Sequence, residues 1–166
     1  PGLKVKEGKE ILQYIYGELR NLFEGELATV NIEGIVFSGM RDGAYYLTRE
    51  GYRKQFLEKI GFDPYPGTLN LRLRTSSDIQ ARRILDVYPG IVIEGFENGQ
   101  RTYGPVKSFK CTINSQLQGA VLLIKRTHHA ENVMEIIAPI YLREKLGLKD
   151  GDRVTITVKV GLTNKK

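Results

Sequence analysis

A single cysteine, Cys111, and only two histidines, the adjacent His128 and His129, stand in this 166-residue chain. One thiol excludes an intramolecular disulfide, and these residues lack the usual zinc-ligand spacing, so a reducing, cytoplasmic compartment is expected. Neighbouring histidines point in different directions on an extended chain and form no two-ligand metal site. Long apolar runs are also missing. The longest, Ala120 to Ile124, is five residues, closed by Lys125 and Arg126, against the about 20 a membrane span needs. It reads as a strand, and membrane insertion is excluded. The opening Pro1-Gly2-Leu3-Lys4 lacks a basic segment followed by an apolar stretch, so no secretory signal is expected. Absent too are a P-loop, a kinase Gly-rich loop, a serine nucleophile elbow and a Rossmann fingerprint.

What is present is a composition that folds: 41% hydrophobic and 27% charged residues, enough for a buried core in one domain. The 25 Lys and Arg exceed the 19 Asp and Glu, giving a net charge of +6 and a pI of about 9.4. That mild basicity suits an anionic small molecule as well as nucleic acid.

From Glu7 to Phe23, Ile11, Leu12, Ile15, Leu19, Leu22 and Phe23 recur at helical spacing, and Gly25 stands where such a helix would end. An N-terminal amphipathic helix is expected there. Period-two alternation then takes over, with strands expected at Thr29 to Phe37, Thr68 to Arg74, Gly90 to Phe96, Arg101 to Ile113, Gln118 to Lys125, Asn132 to Ile137 and Arg153 to Val160. Short helices are expected from about Arg49 to Ile60, with Tyr52, Phe56, Leu57 and Ile60 on one face and Gly61 as its stop, from a cap at Ser77 or Asp78, and from Pro139 as first helical residue to Gly147. Asn98-Gly99 reads as a hairpin turn. Many short strands with few helices predict a compact, mostly antiparallel β-barrel. The organisation expected is a helical extension over 1–28, the barrel over 29–160 and a polar tail over 161–166.

Four segments could carry chemistry. Ser38 to Tyr46 follows a strand and holds Gly39 and Gly43, whose backbone N–H groups can turn toward a phosphate or simply join a hairpin. After the stiff turn Asp63-Pro64-Tyr65-Pro66-Gly67, Thr68 and Asn70 point the same way, about 7 Å apart along a strand. They are neutral oxygen ligands suited to Mg²⁺ with water and phosphates, or an ordinary polar strand face. Glu135 lies within the apolar run Val133 to Ile137, where a carboxylate needs a partner, a proton-accepting task or a wet face. Last, Pro139 to Val154 presents Arg143, either an anion ligand or a solvated helix charge.

In order and spacing these segments resemble the archaeal CTP-dependent riboflavin kinase family. The matching pieces are Ser38-Gly39-Met40 with Gly43 and Tyr45-Tyr46, Gly61 to Leu71, Glu135 to Pro139, and Tyr141 to Glu144 followed by Leu148 to Asp152. The resemblance spans roughly Thr29 to Val160 and implies a six-stranded cradle-loop (RIFT-like) β-barrel. It implies transfer of the γ-phosphoryl group of CTP to the 5′-hydroxyl of riboflavin, giving FMN and CDP, with Mg²⁺. Carried over position by position, Gly39, Met40, Arg41, Asp42, Gly43 and Ala44 would hold the nucleotide phosphates, and Ile140, Tyr141, Leu142 and Arg143 the cytidine end. Thr68 and Asn70 would hold Mg²⁺, and Thr127 and Glu135 the flavin, with Glu135 the candidate general base.

The family loop usually reads Gly-x-Gly-Glu-Gly-Arg, whereas this chain has Arg41, Asp42 and Ala44 at its middle glycine, glutamate and arginine. That removes backbone freedom and a donor fork for phosphate. Two alternatives follow: a flavin-sensing effector domain of a transcription regulator with weak or no kinase activity, or, ranked lower, a DNA-binding swapped-hairpin barrel. Val5 to Leu12 looks like the end of a winged helix-turn-helix domain. DNA is a partner only if such a domain precedes Pro1. Otherwise a monomer with no membrane partner is expected.

Overall fold

A computed structural model describes residues 8, 10–15, 27–39, 46–124 and 131–161. Its strands are β1 (Leu27–Phe37), β2 (Leu69–Arg72), β3 (Ile91–Ile93), β4 (Phe96–Glu97), β5 (Thr102–Tyr103), β6 (Val106–Ile113), β7 (Leu117–Ile124), β8 (Val133–Ile137) and β9 (Arg153–Gly161). Its helices are α1 (Glu50–Gln55), prolonged by a π-helical turn over Phe56–Ile60, α2 (Ser76–Val87) and α3 (Leu142–Leu146).

Antiparallel pairing runs β6-β7-β8-β2-β1-β9 and returns from β9 to β6, so six strands close on themselves. Closure depends on β6 dividing one edge between two partners. Cys111, Thr112 and Ile113 pair with β9, while Val106, Lys107 and Ser108 pair with β3. Closing the ring removes the unpaired edges that an open sheet would present. The alternation read from the sequence fills the interior: Ile32, Leu71, Ile113, Ile136 and Ile156 have no exposed surface, and each such burial stabilises the fold by about 1.5–3 kcal/mol. The barrel expected from the sequence is borne out.

A second apolar cluster lies outside the ring, where Ala120, Leu122 and Ile137 from the outer faces of β7 and β8 meet Leu47, Tyr52, Phe56, Ile60, Ile93 and Tyr103. The inward neighbours Val121, Leu123 and Ile136 belong to the barrel core. This wall is therefore buried on both faces, which is why Ala120 to Ile124 reads as an unbroken apolar run rather than an alternating one.

Several expectations need correction. The strand expected over Gly90 to Phe96 is two pieces in separate sheets, β3 and β4. Gly95 lies so close to the next chain segment that a Cβ there would sit 2.4 Å from the Tyr103 carbonyl oxygen. The strand expected over Arg101 to Ile113 breaks at Gly104-Pro105, where proline has no N–H to donate. Helix α2 is capped by Thr75, two or three residues earlier than expected, its hydroxyl accepting from the Asp78 N–H at 3.1 Å. Asp78 is spent otherwise, accepting from the Glu33 N–H at 2.9 Å and so tying α2 to β1. Pro139 does not begin α3, which starts at Leu142 after the extended residue Tyr141. The Ala138 carbonyl is held by the Tyr65 N–H at 2.8 Å, keeping the chain open there. The Asn98-Gly99 turn does join β4 to β5, with Gly99 at φ 84° and the Asn98 side chain accepting from the Gln100 and Arg101 N–H groups. The left-handed stops at Gly61 and Gly147 are also as expected. Of the N-terminal helix, residues 10–15 are helical, with Ile11, Leu12 and Ile15 exposed; the rest lies outside the described residues apart from Gly8.

Candidate functional site

Register decides what the local pattern left open. β2 and β8 pair so that Asn70 stands directly opposite Glu135. Their neighbours Leu69, Leu71, Met134 and Ile136 belong to the barrel core, so alternation sends Asn70 and Glu135 to the outer face. Thr68, just before β2, brings its hydroxyl to 3.3 Å from the Asn70 side-chain oxygen and 3.5 Å from Glu135 Oε1. Glu135 is half-buried. It lines a cavity on the outer wall rather than facing open water.

Gly39 completes the group. It follows the end of β1, where Phe37 pairs with Asn70, and its backbone lies against the Asn70 amide. A Cβ there would fall 2.2 Å from Asn70 Nδ2. Gly39, Thr68, Asn70 and Glu135, expected from distant segments, thus occupy one place. Met40, Arg41, Asp42, Gly43, Ala44 and Thr127 lie outside the described residues.

Two cavities flank this cluster. The larger, about 240 Å³, lies between the outer barrel wall and the aromatic lobe, with Tyr46, Tyr52, Phe56 and Tyr103 in its lining together with Thr68 and Glu135. Tyr52 is fixed by its hydroxyl, which donates to the Gly104 carbonyl at 2.7 Å, and by edge-on contacts with Phe96 and Tyr103. Arg101 also lines the cavity and donates to the Tyr46 hydroxyl at 2.8 Å. Aromatic walls around a half-buried carboxylate suit a planar conjugated ligand with a polar arm.

The smaller cavity, about 50 Å³, is lined by Ile140, Tyr141, Leu142 and Arg143 together with Tyr65 and Thr68. The rings of Tyr65 and Tyr141 stack at 5.0 Å. Arg143, read from sequence as an anion ligand or a solvated charge, is partly buried and held by named partners. Its guanidinium donates to the Phe37 carbonyl at 3.2 Å and lies 2.8 Å from Asp150 Oδ1. Arg143 and the Ser38 hydroxyl hold the Asp150 carboxyl below the usual carboxylate range.

Among the described residues, no group of three or more His, Cys, Asp and Glu side chains could hold a metal. The oxygen donors that converge are Thr68, Asn70 and Glu135. Sequence reasoning missed the aromatic lining, although helical spacing puts Tyr52 and Phe56 on one face, and it missed Asp150 and Ser38 as partners of Arg143. The density of tyrosines between 45 and 103 was the available signal for the first. Nothing local signals the second.

Both cavities thus reach Thr68, in one oxygen-rich cluster on the outer wall of a closed barrel. The family model named CTP-dep_RFKase, described as a domain of unknown function, DUF120, matches residues 36–158, and the chain belongs to that family. It is 51% identical over 153 residues to the riboflavin kinase of Archaeoglobus fulgidus, covering 92% of this chain and 64% of that protein. Against the riboflavin kinase of Pyrobaculum aerophilum it is 46% identical over 159 residues, covering 95% and 74%. Against that of Pyrobaculum islandicum it is 45% identical over 153 residues, covering 92% and 71%. The chain thus spans somewhat under two thirds of the first relative and about three quarters of the second.

Proposed function

We propose that this chain phosphorylates riboflavin to FMN with CTP as donor and Mg²⁺ as the metal. The observation that carries the reading is that Thr68 lines both cavities, with Asn70 and Glu135 beside it. A flavin ring against the aromatic wall of the larger cavity would direct its ribityl arm toward Glu135. A nucleoside bound at Ile140 to Arg143 would bring its terminal phosphate to the same cluster from the other side. Phosphoryl transfer needs little covalent help from the protein and depends on in-line placement and charge neutralisation.

The residues present fit Mg²⁺: the hydroxyl of Thr68 and the amide oxygen of Asn70 are hard neutral donors 3.3 Å apart, leaving room for water and phosphate oxygens. Bound there, the ion would neutralise charge on the transferring phosphate. Glu135 would take the proton of the ribityl 5′-hydroxyl as its oxygen bonds to the γ-phosphorus. The bond from that phosphorus to the bridging oxygen breaks, and CDP leaves with the electron pair. Gly39, with no Cβ, lets the backbone pass over Asn70 close enough to face a phosphate.

The test is riboflavin phosphorylation with Mg²⁺ and CTP, ATP, UTP or GTP, with flavin binding followed by fluorescence quenching. Turnover selective for CTP is expected. Quenching without turnover on any donor would refute the kinase reading and move the protein to the flavin sensors, and absence of both quenching and turnover would refute flavin recognition as well.

A further inference from the structure

We infer that Asp150 is a positioning residue for the phosphate donor, acting through Arg143 and Ser38; the inference rests on the function proposed above. The Ser38 hydroxyl donates to Asp150 at 2.8 Å to Oδ2, with Oδ1 at 3.0 Å. The Arg143 guanidinium reaches Asp150 Oδ1 at 2.8 Å, Ser38 Oγ at 3.4 Å and the Phe37 carbonyl at 3.2 Å. Three chain segments meet here: the end of β1 immediately before Gly39, the helix α3 that lines the smaller cavity, and the turn into β9. One carboxylate therefore sets the distance between Gly39, packed on Asn70, and the Ile140 to Arg143 wall.

Asp150 is not needed to close its own turn. Asp152 does that, accepting from the Lys149 N–H at 2.8 Å and donating its own N–H to the Lys149 carbonyl at 3.1 Å. The turn is tied to β1 by Gly151 N–H to the Val36 carbonyl at 2.8 Å and Val36 N–H to the Asp152 carbonyl at 2.9 Å. With these backbone bonds in place, the side chain of Asp150 is left to orient Ser38 and Arg143. The pair is partly exposed, with 25% of the Arg143 side chain and 55% of the Asp150 side chain accessible. Exposed pairs of this kind contribute little to stability, so its removal should show in ligand placement rather than in folding.

Asp150→Asn keeps the shape and Asp150→Ala removes the side chain; Asp150→Glu keeps the charge, and Ser38→Ala removes only the second partner. Expected are a rise of about tenfold or more in KM for CTP with Asp150→Ala, a smaller rise with Ser38→Ala, and partial rescue by Asp150→Glu. The kcat at saturating CTP should fall by less than the KM for CTP rises, because Thr68, Asn70 and Glu135 make no contact with Asp150 themselves, and the flavin quenching titration should be unchanged. In a double-mutant cycle with Arg143→Ala the effects on KM should be strongly non-additive. An unchanged KM for CTP in a folded Asp150→Ala protein would overturn the inference, as would equal losses in CTP and flavin binding. If the unsubstituted protein neither binds nor uses CTP, the proposed function fails first and the inference with it.

Discussion

Replacing Gly39 by alanine adds one carbon at the most crowded point of the site. The backbone there is not left-handed, so alanine meets no conformational barrier and the obstacle is purely steric. The new Cβ would lie 2.2 Å from Asn70 Nδ2 and 3.0 Å from Asn70 Cγ. An ordinary contact is about 3.5 Å, so the amide must retreat by roughly 1.3 Å or rotate away. Either movement takes its oxygen out of line with Thr68 and Glu135. A misplacement of about 1 Å in a group that positions reactants costs on the order of 100-fold in rate, about 2.7 kcal/mol of barrier. Stability should respond far less, because the strain falls on one partly buried side chain. The gain from a stiffer unfolded chain, about 0.4–1 kcal/mol, offsets part of it. The assay is FMN formation from riboflavin and CTP at saturating Mg²⁺, with thermal unfolding measured in parallel. We expect a loss of about 100-fold in kcat with Tm within about 4 °C of the parent. Turnover within threefold of the parent in a folded variant would refute the argument that Gly39 is a close-approach glycine over a working Asn70.

Thr68→Ala and Asn70→Ala should each lower metal-dependent turnover by at least about tenfold while leaving the flavin quenching titration unchanged; unaltered rates at saturating CTP would dismiss both as metal ligands, and chelation should abolish turnover in the parent. Glu135→Gln should slow kcat by about 100-fold if the carboxylate takes the hydroxyl proton, and a variant of parental speed would leave Glu135 a binding residue only. Burial in the barrel wall pushes the Cys111 thiol up to about 12, so at pH 8 it stays protonated and poorly nucleophilic. Alkylation at pH 8 followed by mass measurement should modify Cys111 only after unfolding, and rapid labelling of the folded protein would contradict its placement between β9 and β7.

Much of the barrel was legible because strand alternation is a local signal. Val30, Ile32 and Val36, or Val154, Ile156 and Val158, declare their inward face without reference to any partner. The helix stops at Gly61 and Gly147 were legible too, since left-handed residues there, at φ 98° and 62°, favour glycine. Thr68 and Asn70 could be placed on one side, and Glu135 marked as a carboxylate needing a reason, but their meeting could not be read. The opposition of Asn70 and Glu135 is set by the register of β2 on β8, a pairing across more than sixty residues. The same holds for the split edge of β6, for the aromatic lobe that makes a cavity of the outer wall, and for Asp150 reaching Ser38 across the barrel end. Sequence periodicity tells which way a side chain points along its own strand; what waits on the other side is decided only when distant strands close into a ring, because contact depends on register and position in space rather than on separation along the chain.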